Sequence, residues 1–333
     1  MDDHKEICSL PGTTEEREWF RERLETLTVR ESLFLAAARM WQPANDLAGV
    51  IQQVCSLPDY TLVTPAESYE ELGRRYLERE TRVPRSLHDH ADLKKLGRWY
   101  EDIHPGLFIG NCYVAYPKEL LPSYDSSNLS VLEDTDWSVK LKLASPAVPE
   151  GVWMRLPDYD EMNDEPGEIC FALDALKVKS LHECSLLESQ CILPCITGLG
   201  ELYNDLAELV GDSQNLGFAL DELKPYFRGK FLAVLEYEGC RCLKEALDIS
   251  QNLGCYDFAE ADDLEKTAVE HLEKAGVPET VIWDSCFDLK DYGAALMTEK
   301  GFTITESGSF VRRNETPFVR EFSEAPPEMT MTM

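Results

Sequence analysis

Carboxylate side chains are the residues of this sequence whose number and spacing most clearly indicate a chemistry. Aspartate and glutamate number 62 and lysine and arginine number 32, which gives a formal net charge of −30. A surface this acidic repels nucleic acid and anionic membranes and attracts basic surfaces from a distance. Many of the acids recur every three or four residues, as on one face of a helix, and do not form the single block of an acidic tail. The pattern predicts a folded acidic surface that binds a basic partner.

The candidate binding carboxylates lie between residues 201 and 265, and the first four are predicted to share one helical face. They are Glu201, Asp205, Glu208, Asp212, Glu236, Glu238, Glu245, Asp248, Asp257, Glu260, Asp262, Asp263 and Glu265. Duplex DNA presents about one charge per 1.7 Å of its axis, so a net charge of −30 corresponds to roughly 50 Å of duplex. Acids on folded helices are therefore suited to replace phosphates. The alternative is that they are solvated surface groups that only keep the protein soluble.

Five cysteines raise the question of a metal site: Cys184, Cys191, Cys195, Cys240 and Cys242. The sequence has no C-x2-C pair among them, and His182 alone does not complete a usual zinc spacing. Because cysteine is among the most buried residue types, we expect these side chains to be free, buried thiols. No metal site is predicted.

Other motifs do not indicate catalysis. A second acidic cluster is a candidate for weak cation binding: Asp158, Asp160, Glu161, Asp164 and Glu165. It lacks the glycine and the final glutamate of a calcium loop. The segment Thr197-Gly-Leu-Gly200 lacks the third glycine and the preceding strand of a dinucleotide-binding loop. Since the motifs of serine hydrolases, zinc proteases and phosphate-binding loops are also missing, we predict no catalytic residue, no cofactor and no enzymatic activity.

The elements that position the acidic residues are predicted to occur twice. A step of 196 residues carries Tyr60 onto Tyr256, and it carries Asp92-Leu-Lys-Lys-Leu-Gly97 onto Asp288-Leu-Lys-Asp-Tyr-Gly293. The order and spacing of such matches agree over roughly 80 residues, which is typical of one module present twice.

Each copy is predicted to begin with two amphipathic helices, in residues 31–55 and 227–251. A short extended segment, a helix at residues 68–78 or 263–274, a proline break and a further helix follow. A hairpin closes each copy, and it is clearest at residues 301–311, where apolar and polar residues alternate around a Glu-Ser-Gly turn.

The fold class predicted is α+β, an elongated multi-domain chain of small helical and α/β modules with an internal repeat. Alternating residues predict strands at 137–143 and 151–156. The predicted segments are 1–59 (N-terminal segment and helical module), 60–117 (α/β module), 118–136 (linker), 137–197 (small α/β domain), 198–254 (helical module), 255–316 (α/β module) and 317–333 (disordered tail).

The charge is predicted to be divided unequally along the chain. Residues 1–117 carry 20 acidic and 14 basic residues, a net charge of −6, and residues 118–333 carry 42 and 18, a net charge of −24. The bases of the first copy cluster between residues 74 and 98. We therefore expect the C-terminal copy to provide the acidic binding surface and the N-terminal copy to contribute little to it.

Four features of the second half of the chain resemble a known family. They are Leu202–Val210, the paired helices around Ala233–Leu247, the Tyr256-Asp-Phe strand, and Phe287–Gly293 with its following hairpin. Together they resemble the ArdA antirestriction proteins of conjugative elements and phages over residues 137–313, and residues 20–117 resemble the second and third domains of that family more distantly. The resemblance implies three small domains, a dimer without catalytic activity, and occupation of the DNA groove of type I restriction-modification enzymes.

The function expected from charge and resemblance together is inhibition of a type I enzyme by DNA mimicry. The expected partners are that enzyme and a second copy of the chain, with no nucleic acid and no membrane. Two alternatives stay open: an acidic interaction or regulatory protein of a mobile element that binds another basic host factor without DNA-like geometry, and an enzyme whose site the motifs do not disclose. The N-terminus has no secretory pattern and no apolar run approaches about 18 residues, so a cytoplasmic location is expected.

Overall fold

The structure is a computed structural model that describes residues 10–80, 82–117, 124, 129, 137–160, 166–282 and 288–323. The chain is α+β, as predicted, with helices and three small three-stranded sheets. Packing divides it into two compact units. Unit 1 comprises Met1–Asp136 and Leu141–Leu187, and unit 2 comprises Trp137–Lys140 and Glu188–Met333.

The elements up to residue 176 alternate between helices and short strands. They are α1 (Thr14–Glu25), α2 (Val29–Trp41), α3 (Leu47–Cys55), β1 (Thr61–Val63), α4 (Tyr69–Arg79), α5 (Leu93–Ile103), β2 (Gly106–Ile109), β3 (Cys112–Ala115), β4 (Val139–Ser145), β5 (Val148–Leu156) and α6 (Glu168–Leu176). Strand β3 is the centre of an antiparallel sheet of order β1-β3-β2. A second sheet has the order β5-β4-β6, in which β6 is Ser185–Cys191.

The helices of unit 1 begin where capping residues place them. Thr13 and Thr28 each form a capping box, in which the threonine hydroxyl accepts an N–H and a glutamate three residues later accepts the threonine N–H. The core then packs one face of α1, α2 and α3 against β1 and β3, through Phe20, Phe34, Val50, Leu62 and Val114. Burial of this apolar face is the main force that holds the three helices together.

The remaining elements belong to unit 2 and are mainly helical. They are α7 (Leu199–Leu202), α8 (Leu206–Glu222), α9 (Pro225–Glu238), α10 (Leu243–Gln251), β7 (Tyr256–Ala259), α11 (Asp263–Lys274), α12 (Glu279–Ile282), α13 (Leu289–Glu299), β8 (Thr303–Ile304) and β9 (Phe310–Arg313). The antiparallel sheet of this unit has the order β7-β9-β8. Its inner face packs on α11 and α13 through Leu264, Met297 and Phe310.

The two segments predicted as copies share an order of elements. In each, two helices lead into a short 3-10 turn, a strand, two longer helices with a proline and a short helical segment between them, and two strands whose last member is the sheet centre. A glycine lets the two later helices approach closely: a Cβ at Gly97 would lie 1.9 Å from the Tyr69 carbonyl oxygen, and a Cβ at Gly293 would lie 2.2 Å from that of Leu264. The interpretation of these segments as one module present twice stays a prediction.

The predicted elements correspond well to these bounds. The helices predicted at 31–55 and 227–251 are two pairs, α2–α3 and α9–α10, and the strands predicted at 137–143 and 151–156 are β4 and the second half of β5. The predicted linker at 118–136 lies outside the described residues apart from 124 and 129. None of the helices described has both the length and the apolar character that crossing a membrane requires.

Candidate acidic binding surface

All thirteen candidate carboxylates belong to unit 2, and nine of them are exposed. The exposed ones are Glu201, Asp205, Glu208, Glu236, Glu245, Glu260, Asp262, Asp263 and Glu265. Glu238 and Asp257 are half-buried, and Asp212 and Asp248 are buried. These nine exposed carboxylates are therefore the candidates that a binding partner could contact.

The first four candidates do not share one helical face, so that prediction was wrong. Glu201 belongs to α7, which ends at Leu202, and Asp205 is the N-cap of α8, whose first residue is Leu206. The Asp205 Oδ1 accepts the N–H of Ala207 at 3.0 Å. The physical reason is that aspartate is a strong N-cap residue, so it begins a new helix here and does not continue the previous one.

Asp212 points inward from α8, contrary to the prediction of a surface role. Its Oδ2 accepts the hydroxyl of Tyr203 at 2.8 Å. Burial raises the pKa of the Asp212 carboxyl above its ordinary value, while the Tyr203 hydroxyl and Lys244 act in the opposite direction. This carboxylate therefore anchors the α7–α8 connection and is not available to a target.

Asp248 is likewise not a surface group, being only 2% exposed. Its carboxylate accepts the backbone N–H groups of Glu321, Phe322 and Ser323 at 2.8, 2.9 and 3.1 Å. These bonds also correct the prediction of a disordered tail for residues 317–323, while residues 324–333 lie outside the described residues. The tail is ordered here because a buried carboxylate needs hydrogen-bond donors and the 321–323 backbone supplies them.

Glu238 and Asp257 are neutralised within unit 2. Arg313 donates two hydrogen bonds of 2.8 Å to Glu238, whose Oε1 also accepts the Tyr256 hydroxyl at 2.8 Å. Arg312 Nε donates to Asp257 Oδ2 at 2.8 Å, and this bond is the main cause that holds the pKa of Asp257 below its ordinary value. Both pairs join β9 to neighbouring elements, so their first role is structural.

Three exposed glutamates also have partners inside unit 2. Glu208 on α8 forms an ion pair with Lys244 on α10. Glu236 accepts the N–H of Ser307 in the β8–β9 turn at 3.0 Å. Glu245, in the first turn of α10, accepts the N–H of Arg241 at 3.0 Å. These contacts orient the carboxylates and leave them at the surface.

Among the thirteen candidates, four carboxylates at the start of α11 have few hydrogen-bond or ion-pair partners. We call them the α11 acidic cluster: Glu260, Asp262, Asp263 and Glu265. Asp263 Oδ2 accepts the Glu260 N–H at 3.3 Å. Among the described residues, none forms a hydrogen bond or ion pair with the side-chain carboxylates of Glu260, Asp262 or Glu265. Acids in the first turn of a helix are favoured by the helix dipole, so this cluster stabilises α11 while it faces solvent.

The net charge is shared evenly between the two units, whose bounds differ from those of the segments 1–117 and 118–333 that carry −6 and −24. Unit 1 contains 34 acidic and 19 basic residues and unit 2 contains 28 and 13, so each has a formal net charge of −15. The reason is that residues 118–136 and 141–187, which are acidic, belong to the same unit as the nearly balanced N-terminal segment.

The other candidate sites of the sequence are the five cysteines and the acids of residues 158–165. Of the five cysteines considered for a metal, only Cys240 is buried, Cys195 is exposed and the others are half-buried; all five are free thiols. No group of three or more His, Cys, Asp or Glu residues suited to a metal ion occurs in the described part of the chain. Asp158 caps α6 through the Ile169 N–H at 3.0 Å and Asp160 pairs with Arg30, while Glu161, Asp164 and Glu165 lie outside the described residues.

Unit 1 contains a buried charge cluster that spacing in the sequence did not indicate. Glu31 pairs with Arg23, at 2.5 Å, and with Arg155, which is 124 residues away. The Thr28 hydroxyl donates to Glu168 Oε1 at 3.1 Å. Burial, followed by the charge of Glu31, raises the pKa of Glu168 to about 8. Such long-range pairing leaves no local signal in a sequence, because its members come from α1, α2, β5 and α6.

Comparisons with models of protein families, with curated proteins and with solved structures found no match for this chain.

Proposed function

We propose that this protein inhibits a type I restriction-modification enzyme by presenting exposed carboxylates of unit 2 to the DNA-binding groove, in place of DNA phosphates. No catalytic residue takes part. The proposal includes a homodimer as the active form and the cytoplasm as the compartment, where the free cysteines would stay reduced.

The observation that carries the proposal is the α11 acidic cluster together with the exposed acids of α7 to α10. Nine of the thirteen candidate carboxylates face solvent, and those of Glu260, Asp262 and Glu265 are free of partners among the described residues. A carboxylate without an internal partner is free to pair with lysine or arginine of a target. Since they lie on helices and helix starts, the backbone fixes the positions from which these side chains extend, which a phosphate replica requires.

The resemblance to ArdA supplies the identity of the target, and the charge supplies the mode of binding. DNA-binding enzymes carry basic grooves whose field attracts an acidic protein and raises the rate of association. The same field makes binding sensitive to salt, because ions screen the charges of both partners.

The experiment is a competition assay with the full chain and a purified type I restriction-modification enzyme. Dissociation constants are measured at about 50 and 200 mM salt, with and without an unmodified duplex that carries the recognition sequence of the enzyme. The proposal expects binding that weakens steeply with salt and that the duplex displaces in proportion to its own affinity. Binding to a basic surface that duplex DNA does not compete for would instead indicate an acidic interaction protein without DNA-like geometry, and would overturn the proposal.

A further inference from the structure

Residues 317–323, which we call the strap, lie along one face of α10 and the turn that follows it. Side chains of Asp248, Asn252 and Cys255 face the strap, and their spacing of four and three residues places them on consecutive turns of one helical face. The strap runs in the opposite direction, with Pro317 at Cys255 and Ser323 at Asp248.

The hydrogen bonds of this face go mainly to the backbone of the strap. Cys255 Sγ donates to the Pro317 carbonyl oxygen at 3.3 Å. The Asn252 amide donates to the Val319 carbonyl oxygen at 2.7 Å and accepts the Val319 N–H at 3.0 Å. Asp248 accepts the three N–H groups at 321–323 already described, and the Ser323 hydroxyl at 2.5 Å. Backbone groups are common to all residues, so these bonds recognise the path of a main chain more than a particular sequence.

One side chain of the strap supplies an apolar anchor. The ring of Phe318 meets that of Tyr256 edge to face, with centroids 6.2 Å apart, and the Arg313 guanidinium lies 4.9 Å from its centroid. Its neighbour Val319 is 54% exposed, so that side chain adds little. An aromatic ring held between an aromatic and a cation contributes both buried area and directional attraction.

We propose that the surface of α10 and its following turn formed by Asp248, Asn252 and Cys255, with Tyr256 and Arg313 beside it, is a peptide-binding site. Its ligand is a short main-chain segment anchored by one aromatic ring, that of Phe318 in this chain, and residues 317–323 are that ligand in cis. The site recognises the strap as a ligand that can be separated from the rest of unit 2, because a peptide in trans can make the same contacts: the backbone bonds, the Ser323 hydroxyl bond and the contacts of the Phe318 ring. This site is independent of the acidic surface proposed above and of any target enzyme.

The test keeps the full chain and cuts it only after folding. A recognition sequence for a specific protease is inserted between Glu315 and Thr316, both of which are exposed. After cleavage we expect the C-terminal fragment to stay bound during gel filtration. It should then exchange with a fluorescent synthetic peptide of residues 316–323, followed by anisotropy. A fragment that separates at once, together with a peptide that shows no saturable binding, would show that the strap is held only by its covalent connection and would overturn the proposal.

Variants of the peptide and of the site assign the contacts. Phe318→Ala in the peptide should weaken binding at least about tenfold, whereas Val319→Ala should leave it within about twofold. Asn252→Ala in the protein should weaken it about tenfold, and Asn215→Ala, an exposed change on α8, should have no effect. Equal binding by the Phe318→Ala and Val319→Ala peptides would contradict the aromatic anchor. The peptide variants leave the folded protein unchanged, so they test the site even if Asn252→Ala impairs folding.

Discussion

The hydroxyl of Ser323 donates a hydrogen bond of 2.5 Å to Oδ2 of Asp248, a residue 75 positions earlier in the chain. Burial alone would raise the pKa of Asp248, but this bond and those from the Phe322, Glu321 and Ser323 N–H groups hold the pKa below its ordinary value. The carboxylate is therefore ionised when the strap is bound, and its charge is satisfied by the strap and not by solvent.

Asp248→Asn should loosen the strap. The amide group of asparagine presents two N–H donors where the strap also presents donors, so part of the set of bonds is lost at a cost of roughly 1–3 kcal/mol. Trypsin cleavage after the exposed Arg320 should become at least about tenfold faster, as measured by mass spectrometry of timed digests. Asp262→Asn, which changes an exposed acid of the same unit, is the control and should leave the rate unchanged. Equal rates for both variants would contradict the role of Asp248.

Acid should release the strap in the wild-type protein. Because the folded pKa of Asp248 is lowered, its contribution is present above the ordinary aspartate pKa of about 3.9 and is lost as the pH falls through the folded value. Hydrogen exchange at the Glu321, Phe322 and Ser323 amides, corrected for intrinsic rates, should show protection at pH 6 that declines progressively as the pH falls below about 4. Protection that persists to the lowest pH at which unit 2 stays folded would argue against this linkage.

Glu168→Gln should stabilise unit 1 in a manner that depends on pH. A carboxyl whose pKa rises from 4.5 to about 8 on folding keeps a proton that the unfolded chain has lost, so the free energy of unfolding falls as the pH rises between these values. Glutamine has no such proton and still offers an oxygen to the Thr28 hydroxyl. In chemical denaturation, the free energy of unfolding of Glu168→Gln should exceed that of the wild type by on the order of 3 kcal/mol at pH 8 and should differ little from it at pH 4.5.

The control for this prediction is Glu22→Gln, which removes an exposed carboxylate from α1 in the same unit. Its effect on unfolding should be small at both pH values. A loss of stability for Glu168→Gln at pH 8 would mean that the carboxylate is ionised and paired with the neighbouring arginines.

Gly293→Ala and Gly211→Ala should have opposite effects on unit 2. A Cβ at Gly293 would lie 2.2 Å from the Leu264 carbonyl oxygen, so α11 and α13 would have to separate, at a cost of roughly 1–3 kcal/mol. A Cβ at Gly211, in the interior of α8, has nothing within 4 Å, and alanine there should add roughly 0.5–1 kcal/mol. Thermal unfolding of both variants shows whether each substitution raises or lowers the stability of unit 2. Destabilisation by Gly211→Ala would contradict the open space beside that residue, and an unchanged stability of Gly293→Ala would contradict the close approach of α11 and α13.

Helices and strands were predictable from the sequence because their signals are local. The predicted helix at 263–274 has the observed bounds of α11, and the hairpin predicted at 301–311 contains β8 and the first half of β9. Apolar spacing, proline breaks and glycine turns are all present within these segments.

The positions of individual carboxylates were only partly predictable. Spacing alone placed Asp212 and Asp248 with the exposed acids, yet each accepts hydrogen bonds from a distant or neighbouring segment and is buried. A carboxylate can be buried only where donors surround it, and the donors of Asp248 come from residues 321–323. The spacing of residues along a helix cannot reveal such hydrogen-bond donors, because the donors belong to a segment outside the helix.

The most direct test of the proposed DNA mimicry is protection of unmodified DNA from cleavage by a type I restriction enzyme, with two full-chain variants of equal charge. One carries Glu260→Lys, Asp262→Lys and Glu265→Lys in the α11 acidic cluster, and the other carries Glu18→Lys, Glu22→Lys and Glu25→Lys on exposed positions of α1 in unit 1. Like charges brought together across an interface cost several kcal/mol, so the first variant should need at least about tenfold more protein for half-protection. The second should stay within about threefold of the wild type, because α1 takes no part in the proposed contact and salt screens charges that lie outside it. If both variants lose protection equally, or if neither loses any, then the exposed carboxylates of unit 2 do not stand in for DNA phosphates and the central claim is contradicted.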